Sequence, residues 1–528
     1  MRTKASQPTA RGRRHLLKVL AAGLFASPAA QRARAGVGHA AGGPASSPPA
    51  SGEPDPVYAA FEEARQDKAW TLGFTTAARR SYPPQDLERV HGTPPEGLRG
   101  VLFRNGPGIH DRNGWRYRHW FDGDGLVHRW QIADGTARHR AEFVGTRKYT
   151  EEEAAGRFLY ATFGSLPPGA QGLGSPNDMN AANTSVLPLA ERLYALWEGG
   201  SAYELDPDTL ATVGPKTWGT GLAGMPFSAH PKVDPSGDVW NFAADPFGGR
   251  VILYHIGADG TLKKATLRII DTASLIHDFV VTERHVILVA PSLAIGKMRL
   301  PLIASFAAAP DQPMVAYAFT KADFAPAGRW ELPPAFVFHF GNGFEDADGT
   351  LRFDYFQHAT SYFATDGAQA LMRGEALAEP PPRMASAALH PDGSATSEPI
   401  AEAPGEFPRV DDRYTGRRHR YTWHVADSGS VGTPYRANGL AGLDWRTERL
   451  DRFDFGSTVL AEEHVFVARR PDSAEGDGWL VGTALDLKAE RTLLQVFDAR
   501  RVSDGPLCQW AAPYALPLGF HGAWSGRV

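Results

Sequence analysis

The chain has 528 residues, 42% of them hydrophobic and 11% aromatic, and a formal net charge of −4. That is ample for a large core, and the near-neutral balance excludes a nucleic-acid binder that meets phosphates with a basic surface. The single cysteine, Cys508, excludes an intramolecular disulfide and any cysteine-rich metal cluster.

Residues 1–35 have the order of an export signal: a basic start ending in Arg13-Arg14, an apolar stretch from Val19 to about Ala30, and small residues at Ala33-Arg34-Ala35. The apolar part is shorter than the ~20 residues of a spanning helix. The paired arginines resemble a twin-arginine signal, so a periplasmic destination is expected. Residues 36–56 are rich in Gly, Ala, Ser and Pro and are expected to form a flexible linker. Residues 57–528 follow as a single folded domain. Asp55 to about Gly73 has helical spacing. Thr150-Glu151-Glu152-Glu153 has the form of a capping box opening a helix through Leu159. Ala304–Ala309 is expected to be helical, and the Pro-, Ala- and Ser-rich residues 373–405 to form a long surface connection.

Most of the rest reads as short strands with frequent turns, such as Val251–Tyr254, Phe279–Leu288 and Phe336–Phe340. Asp-Gly pairs at 134–135, 259–260, 348–349, 392–393 and 477–478 suit tight hairpin turns. Many hairpins with few long helices predict an all-β fold. A propeller is the natural solution, because it leaves only short, protected edges.

With one cysteine, a bound metal must rest on His, Asp or Glu. Most of the 18 histidines lie in polar settings. His230, His277, His339 and His521 instead have apolar neighbours, where an imidazole is costly unless it is hydrogen-bonded or holds a metal. Taken singly, each fits a satisfied core histidine better than a ligand, and no local metal motif such as H-E-x-x-H is present. Glu198, Glu406 and Glu463 also interrupt or flank apolar runs. Carboxylates in such places are suited to accept the second N–H of a metal-bound imidazole.

Several ordered segments resemble the carotenoid cleavage oxygenase family. They are Phe103-Arg104-Asn105-Gly106-Pro107, His119-Trp120-Phe121-Asp122-Gly123-Asp124-Gly125, Glu198-Gly199-Gly200, the His230 segment, His277-Asp278-Phe279, Gly405-Glu406-Phe407-Pro408-Arg409 and Phe520-His521-Gly522. The resemblance runs from about residue 90 to 525. It implies a seven-bladed β-propeller with a helical cap over the active-site face. It also implies one Fe(2+) per chain on His230, His277, His339 and His521, with Glu198, Glu406 and Glu463 behind them. Glu462 adjoins the last of these. After His339 the chain departs from the family's usual longer polar run.

The implied reaction is cleavage of a C=C double bond of a carotenoid or apocarotenoid with O2, giving two carbonyl products. A branch of the family cleaves stilbene-type phenolic alkenes and holds the phenol with Tyr and Lys. Tyr117 and Lys148 lie in comparable regions, although ordinary solvated or packing roles suit them somewhat better. Residues 292–310, apolar but broken by Lys297 and Arg299, are open to a peripheral membrane contact or to a buried cap element. Two readings from other classes stay open: a zinc hydrolase using three of the histidines, and a non-catalytic periplasmic ligand-binding propeller.

Overall fold

The computed structural model describes residues 55–429 and 437–527. The export signal and the linker up to residue 54 lie outside the described residues. The chain is all-β, with sheets of five, four, four, four, five and seven strands and two further strand pairs. Among the described residues no sheet closes on itself. Every strand pair in these sheets is antiparallel, and most join neighbours in sequence through short turns.

The two ends of the chain are tied together. Gly100–Ile109 pairs with Gly522–Ser525, with Arg104 opposite Gly522. Glu88–Gly92 joins the sheet that contains Pro506–Ala511. Two sheets therefore contain strands from opposite ends of the sequence, which clamps the domain shut. The apolar residues are distributed between sheets as separate layers rather than one central mass. Cys508 is buried in one of these layers as a free thiol.

Turn chemistry explains much of the pattern. Asp134 and Gly135 both take positive φ (51° and 75°), joining Asp124–Ala133 to Thr136–Phe143, as a tight hairpin of matching twist requires. The Asp477-Gly478 expectation needs correction. Gly476 takes the positive φ there, and Gly478 already belongs to the strand Gly478–Asp486.

Other segments also differ from their expected form. The helix assigned to Thr150–Leu159 runs from Arg147 to Ala155, because Thr146 supplies the cap: its hydroxyl accepts from Tyr149 N–H at 3.0 Å. Asp55 caps the helix Pro56–Asp67, which a short 3-10 turn, Ala69–Phe74, follows. Phe279–Leu288 is a hairpin, Phe279–Val281 against His285–Ala290, rather than one strand. Ala304–Ala309 is not a helix; a 3-10 turn at Leu302–Ser305 leads into the strand Phe306–Ala308. Residues 373–405 are not simply a surface connection. They include Arg383–Leu389 and most of Ala395–Arg409, paired strands within the seven-stranded sheet. The small side chains of Ala385 and Ala387 pack there against the core. Short helical pieces and loops, including Phe363–Met372, take the place of the expected helical cap.

Candidate metal centre

His230, His277, His339 and His521 come together, each offering one ring nitrogen, with those nitrogens all within 4.8 Å of one another. The fold makes this possible because each lies at or in an edge strand of a different sheet. His230 precedes Lys232–Val233, His277 precedes Phe279–Val281, His339 lies in Phe336–Glu345, and His521 precedes Gly522–Ser525.

Local irregularities aim the side chains. Ladder register shifts occur between Val337 and Phe340, between Glu406 and Arg409, and between Ala461 and His464. The first and third bracket His339 and Glu463, and the second begins directly after Glu406. A bulge turns one residue out of the regular alternation and so can direct it inward. At the second of them Phe407 takes φ 59°, an unfavourable value for a bulky residue. Its ring lies against those of His339 and His521, each 5.2 Å away between centroids.

Each of three imidazoles is held by a carboxylate. His277 Nδ1 hydrogen-bonds Glu198. His339 Nδ1 donates to Glu406 at 2.6 Å, and His521 Nδ1 donates to Glu463 at 2.9 Å. A proton on Nδ1 leaves a lone pair on Nε2. His339 and His521 nevertheless face each other through Nε2 at 3.1 Å, and His230 and His277 do so at 2.9 Å. Two facing lone pairs repel unless a proton or a cation lies at the meeting point. At the His339–His521 pair burial opposes the proton: it pushes His521 down to about 4, although Glu463 pulls the other way. At the other pair burial holds His230 down, whereas Glu198 outweighs burial and raises His277.

The geometry suits a cation. With metal–imidazole bonds of ~2.1 Å, two nitrogens at a right angle around one ion stand ~3.0 Å apart. Charge agrees as well. Glu198, Glu406 and Glu463 bring three carboxylates, and Arg409 donates to Glu463 at 2.8 Å; with neutral imidazoles a divalent ion balances the other two. Imidazole nitrogens suit iron, zinc, copper or nickel.

Burial, the largest single influence, raises the carboxyls of Glu406 and Glu463, but their partners together outweigh it and hold both well below the usual range. For Glu406 these partners are His339 and His358, and for Glu463 Arg409 and His521. Glu462 is not the partner of His521; it accepts from Arg104, Thr483 and the Gly519 N–H.

The cluster divides two cavities. On one side a cavity of about 160 Å³ runs past His277, His339 and His521. Its walls are mainly aromatic, including Phe121, Phe163, Phe338, Phe363 and Phe520. On the other side a cavity of about 450 Å³ meets His230, His339 and His521 and contains Lys232, Asp278 and Arg409.

Tyr117 and Lys148 are not brought to this site. Both are fully buried, and neither lines the aromatic cavity. Lys148 Nζ pairs with Asp124 at 2.7 Å and Glu152 at 3.1 Å, and Tyr117 donates to Glu152 at 3.2 Å. An ammonium neutralised by two buried carboxylates serves the packing of this region, so of the two readings for Tyr117 and Lys148 the structure favours the packing role over the phenol clamp.

Sequence reasoning missed His358 and Arg409. His358 Nε2 hydrogen-bonds the second oxygen of Glu406 at 2.9 Å. The apolar setting Tyr355-Phe356 could have flagged His358, and Arg409 stood in the motif around Glu406 without a role. That flag is not selective, since His110, His128, His139, His424 and His464 are also buried, against the expectation of mostly polar settings.

Comparison with known proteins gives a consistent picture. The RPE65 family model, described as retinal pigment epithelial membrane protein, matches residues 75–526. The chain is 29% identical over 489 residues to the apocarotenoid-15,15'-oxygenase of Synechocystis sp., covering 85% of this chain and 98% of that one. It is 29% identical over 475 residues to lignostilbene-alpha,beta-dioxygenase isozyme III of Sphingomonas paucimobilis, covering 83% and 93%. The crystal structure of cobalt-substituted Synechocystis ACO superposes with a TM-score of 0.76 at 25% identity, covering 87% of this chain and 98% of that one.

Proposed function

Because this chain belongs to the carotenoid cleavage oxygenase family, we propose that it is an Fe(II) oxygenase that splits a C=C double bond of a carotenoid or apocarotenoid with O2, giving two carbonyl products. The observation that carries this reading is the set of Nε2 lone pairs converging beside an aromatic cavity, three of them fixed by carboxylates on Nδ1. When bound, Fe(II) supplies the redox chemistry that lets O2 react with the alkene.

The chain's own residues do the rest. Glu198, Glu406 and Glu463 fix the tautomer and aim of the imidazoles. Phe338, Phe363 and Phe520 exclude water and hold an apolar chain against the centre. The proposal includes a seven-bladed propeller. In its support, the seven-stranded sheet divides at Ala395–Arg409 into two four-stranded halves that share this strand. Together with the other five large sheets these make seven units.

A stilbene-type substrate is the second reading, favoured by the small size of the cavity, about 160 Å³, where pockets for drug-sized ligands run roughly 300–1,000 Å³. The non-catalytic binding propeller has no support among the relatives named above. Export to the periplasm rests on residues 1–35. A peripheral membrane contact is supported by exposed Met298 and Leu300 beside Lys297 and Arg299.

The test is to load the protein with Fe(II) and incubate it with a carotenoid, an apocarotenoid and a hydroxystilbene in air. Aldehyde or ketone products that require O2 are expected. Their absence with every alkene would overturn the reading.

A further inference from the structure

The aromatic cavity is chemically lopsided. Its inner polar groups are committed: Glu198 and Glu406 hold imidazoles, His358 holds Glu406, and Thr184 donates to Asn183. Two polar side chains of its wall lie away from that cluster, Tyr362 and Glu379. They share one stretch of wall with Leu377 and the exposed Pro380, which places them at a mouth.

Both are held in place. Thr360 Oγ1 lies 2.8 and 3.0 Å from the two oxygens of Glu379, and itself accepts from Tyr362 N–H at 3.0 Å. The Ala378 N–H donates to the Tyr362 hydroxyl at 3.0 Å, leaving the phenolic proton to be donated elsewhere. One threonine proton cannot fill the roughly four lone-pair sites of a carboxylate. Glu379 therefore has accepting capacity to spare, and Tyr362 can both donate and accept.

The other end has the opposite character. A second cavity of about 120 Å³ shares Phe163, Trp197, Glu198 and Leu275 with the first and ends at Met298, Leu302 and Phe306. The two cavities thus adjoin across these shared residues, with a mainly apolar wall at Met298, Leu302 and Phe306 on one side and, in the cavity that holds His277, a carboxylate and a phenol on the other.

We propose that Glu379 and Tyr362 form a subsite for a terminal hydroxyl group, so that the substrate is an alkene with one hydroxylated end, held at Glu379, and one apolar end toward Met298. This deepens the oxygenase reading and rests on it. A hydroxyl can donate to the carboxylate and accept from the tyrosine, whereas a terminal carboxylate on the substrate would meet like charge. Two sources carry this chemistry, a phenolic stilbene and a ring-hydroxylated apocarotenoid.

The experiment uses the iron-loaded enzyme and two matched pairs: a hydroxystilbene with its O-methyl ether, and a hydroxylated apocarotenoid with its deoxy counterpart. Wild type, Glu379→Leu and Tyr362→Phe are compared by kcat and KM. The expected result is a hydroxyl preference in kcat/KM of about tenfold, carried by KM, in at least one pair. It should collapse in Glu379→Leu and narrow in Tyr362→Phe. The pair in which it collapses identifies the source. A merely structural defect would slow both members of a pair equally. An unchanged ratio in both variants, or no hydroxyl preference in wild type, would overturn the subsite. If wild type turns over none of the four alkenes, the oxygenase reading itself fails and the subsite falls with it.

Discussion

Glu406→Gln removes one charge and changes almost no volume, so it isolates the role of the carboxylate behind His339. Three donors converge on this group: His339 Nδ1–H at 2.6 Å, the Phe407 N–H at 2.6 Å and His358 Nε2 at 2.9 Å. An amide can offer its oxygen to some of these, but its NH2 must then face another donor. A hydrogen bond to a charged group contributes about 1.5–3 kcal/mol and a neutral one about 0.5–1.5. Only the part that changes on metal binding enters the affinity, so the expected loss is about 10–100-fold in Fe(II) affinity. The assay is anaerobic competition for Fe(II) against a chelator, with thermal melting to show that the variant folds. A dissociation constant within about twofold of wild type would refute the claim that Glu406 acts on the metal through His339.

His277→Ala should lose the metal altogether, because it removes one lone pair and leaves Glu198 without its imidazole; a variant with wild-type iron content and turnover would contradict this. Leu494→Ala, at a fully buried position in one of the two sheets that join the chain's ends, should cost about 2–5 kcal/mol in denaturant unfolding. A loss under about 0.5 kcal/mol would mean the core around it is not close-packed. Glu345 tests the pH response. Burial raises its carboxyl, but Thr282, His285 and Arg284 outweigh this and bring it down from 4.5 to about 2. A depressed carboxylate stabilises the fold above its unfolded pKa and loses that contribution as pH falls through the folded value. The stability gap between wild type and Glu345→Gln should therefore shrink as pH drops from 4.5 toward about 2. A gap independent of pH over that window would refute the assignment.

Glu198, His230, His277, Glu406 and His521 were legible because short motifs carried them in order, whereas His339 and Glu463 were placed only by what the resemblance implies. Spacing alone would not have found them, since the ligands come from edge strands of four sheets and meet only through long-range pairing. Turn chemistry was readable where one dipeptide decides the backbone, as at Asp134-Gly135. It failed at Asp477-Gly478, where a neighbouring glycine takes the turn. Residues 383–405 looked like a connection because alanine and proline are weak strand formers. Their pairing with Leu351–His358 and Tyr421–Ala426 decides otherwise, and no local signal records it. The bulges around His339, Glu406 and Glu463 were equally invisible. Lys148 shows the converse: its place in the sequence suggested a substrate contact, while Asp124 and Glu152 bury it in an ion network.

The most direct test of the central claim is elemental analysis of the protein purified without oxygen. The four-histidine centre predicts about one iron per chain, and loss of that iron in His277→Ala. Zinc alone, or no metal even after Fe(II) is added, would contradict an iron oxygenase.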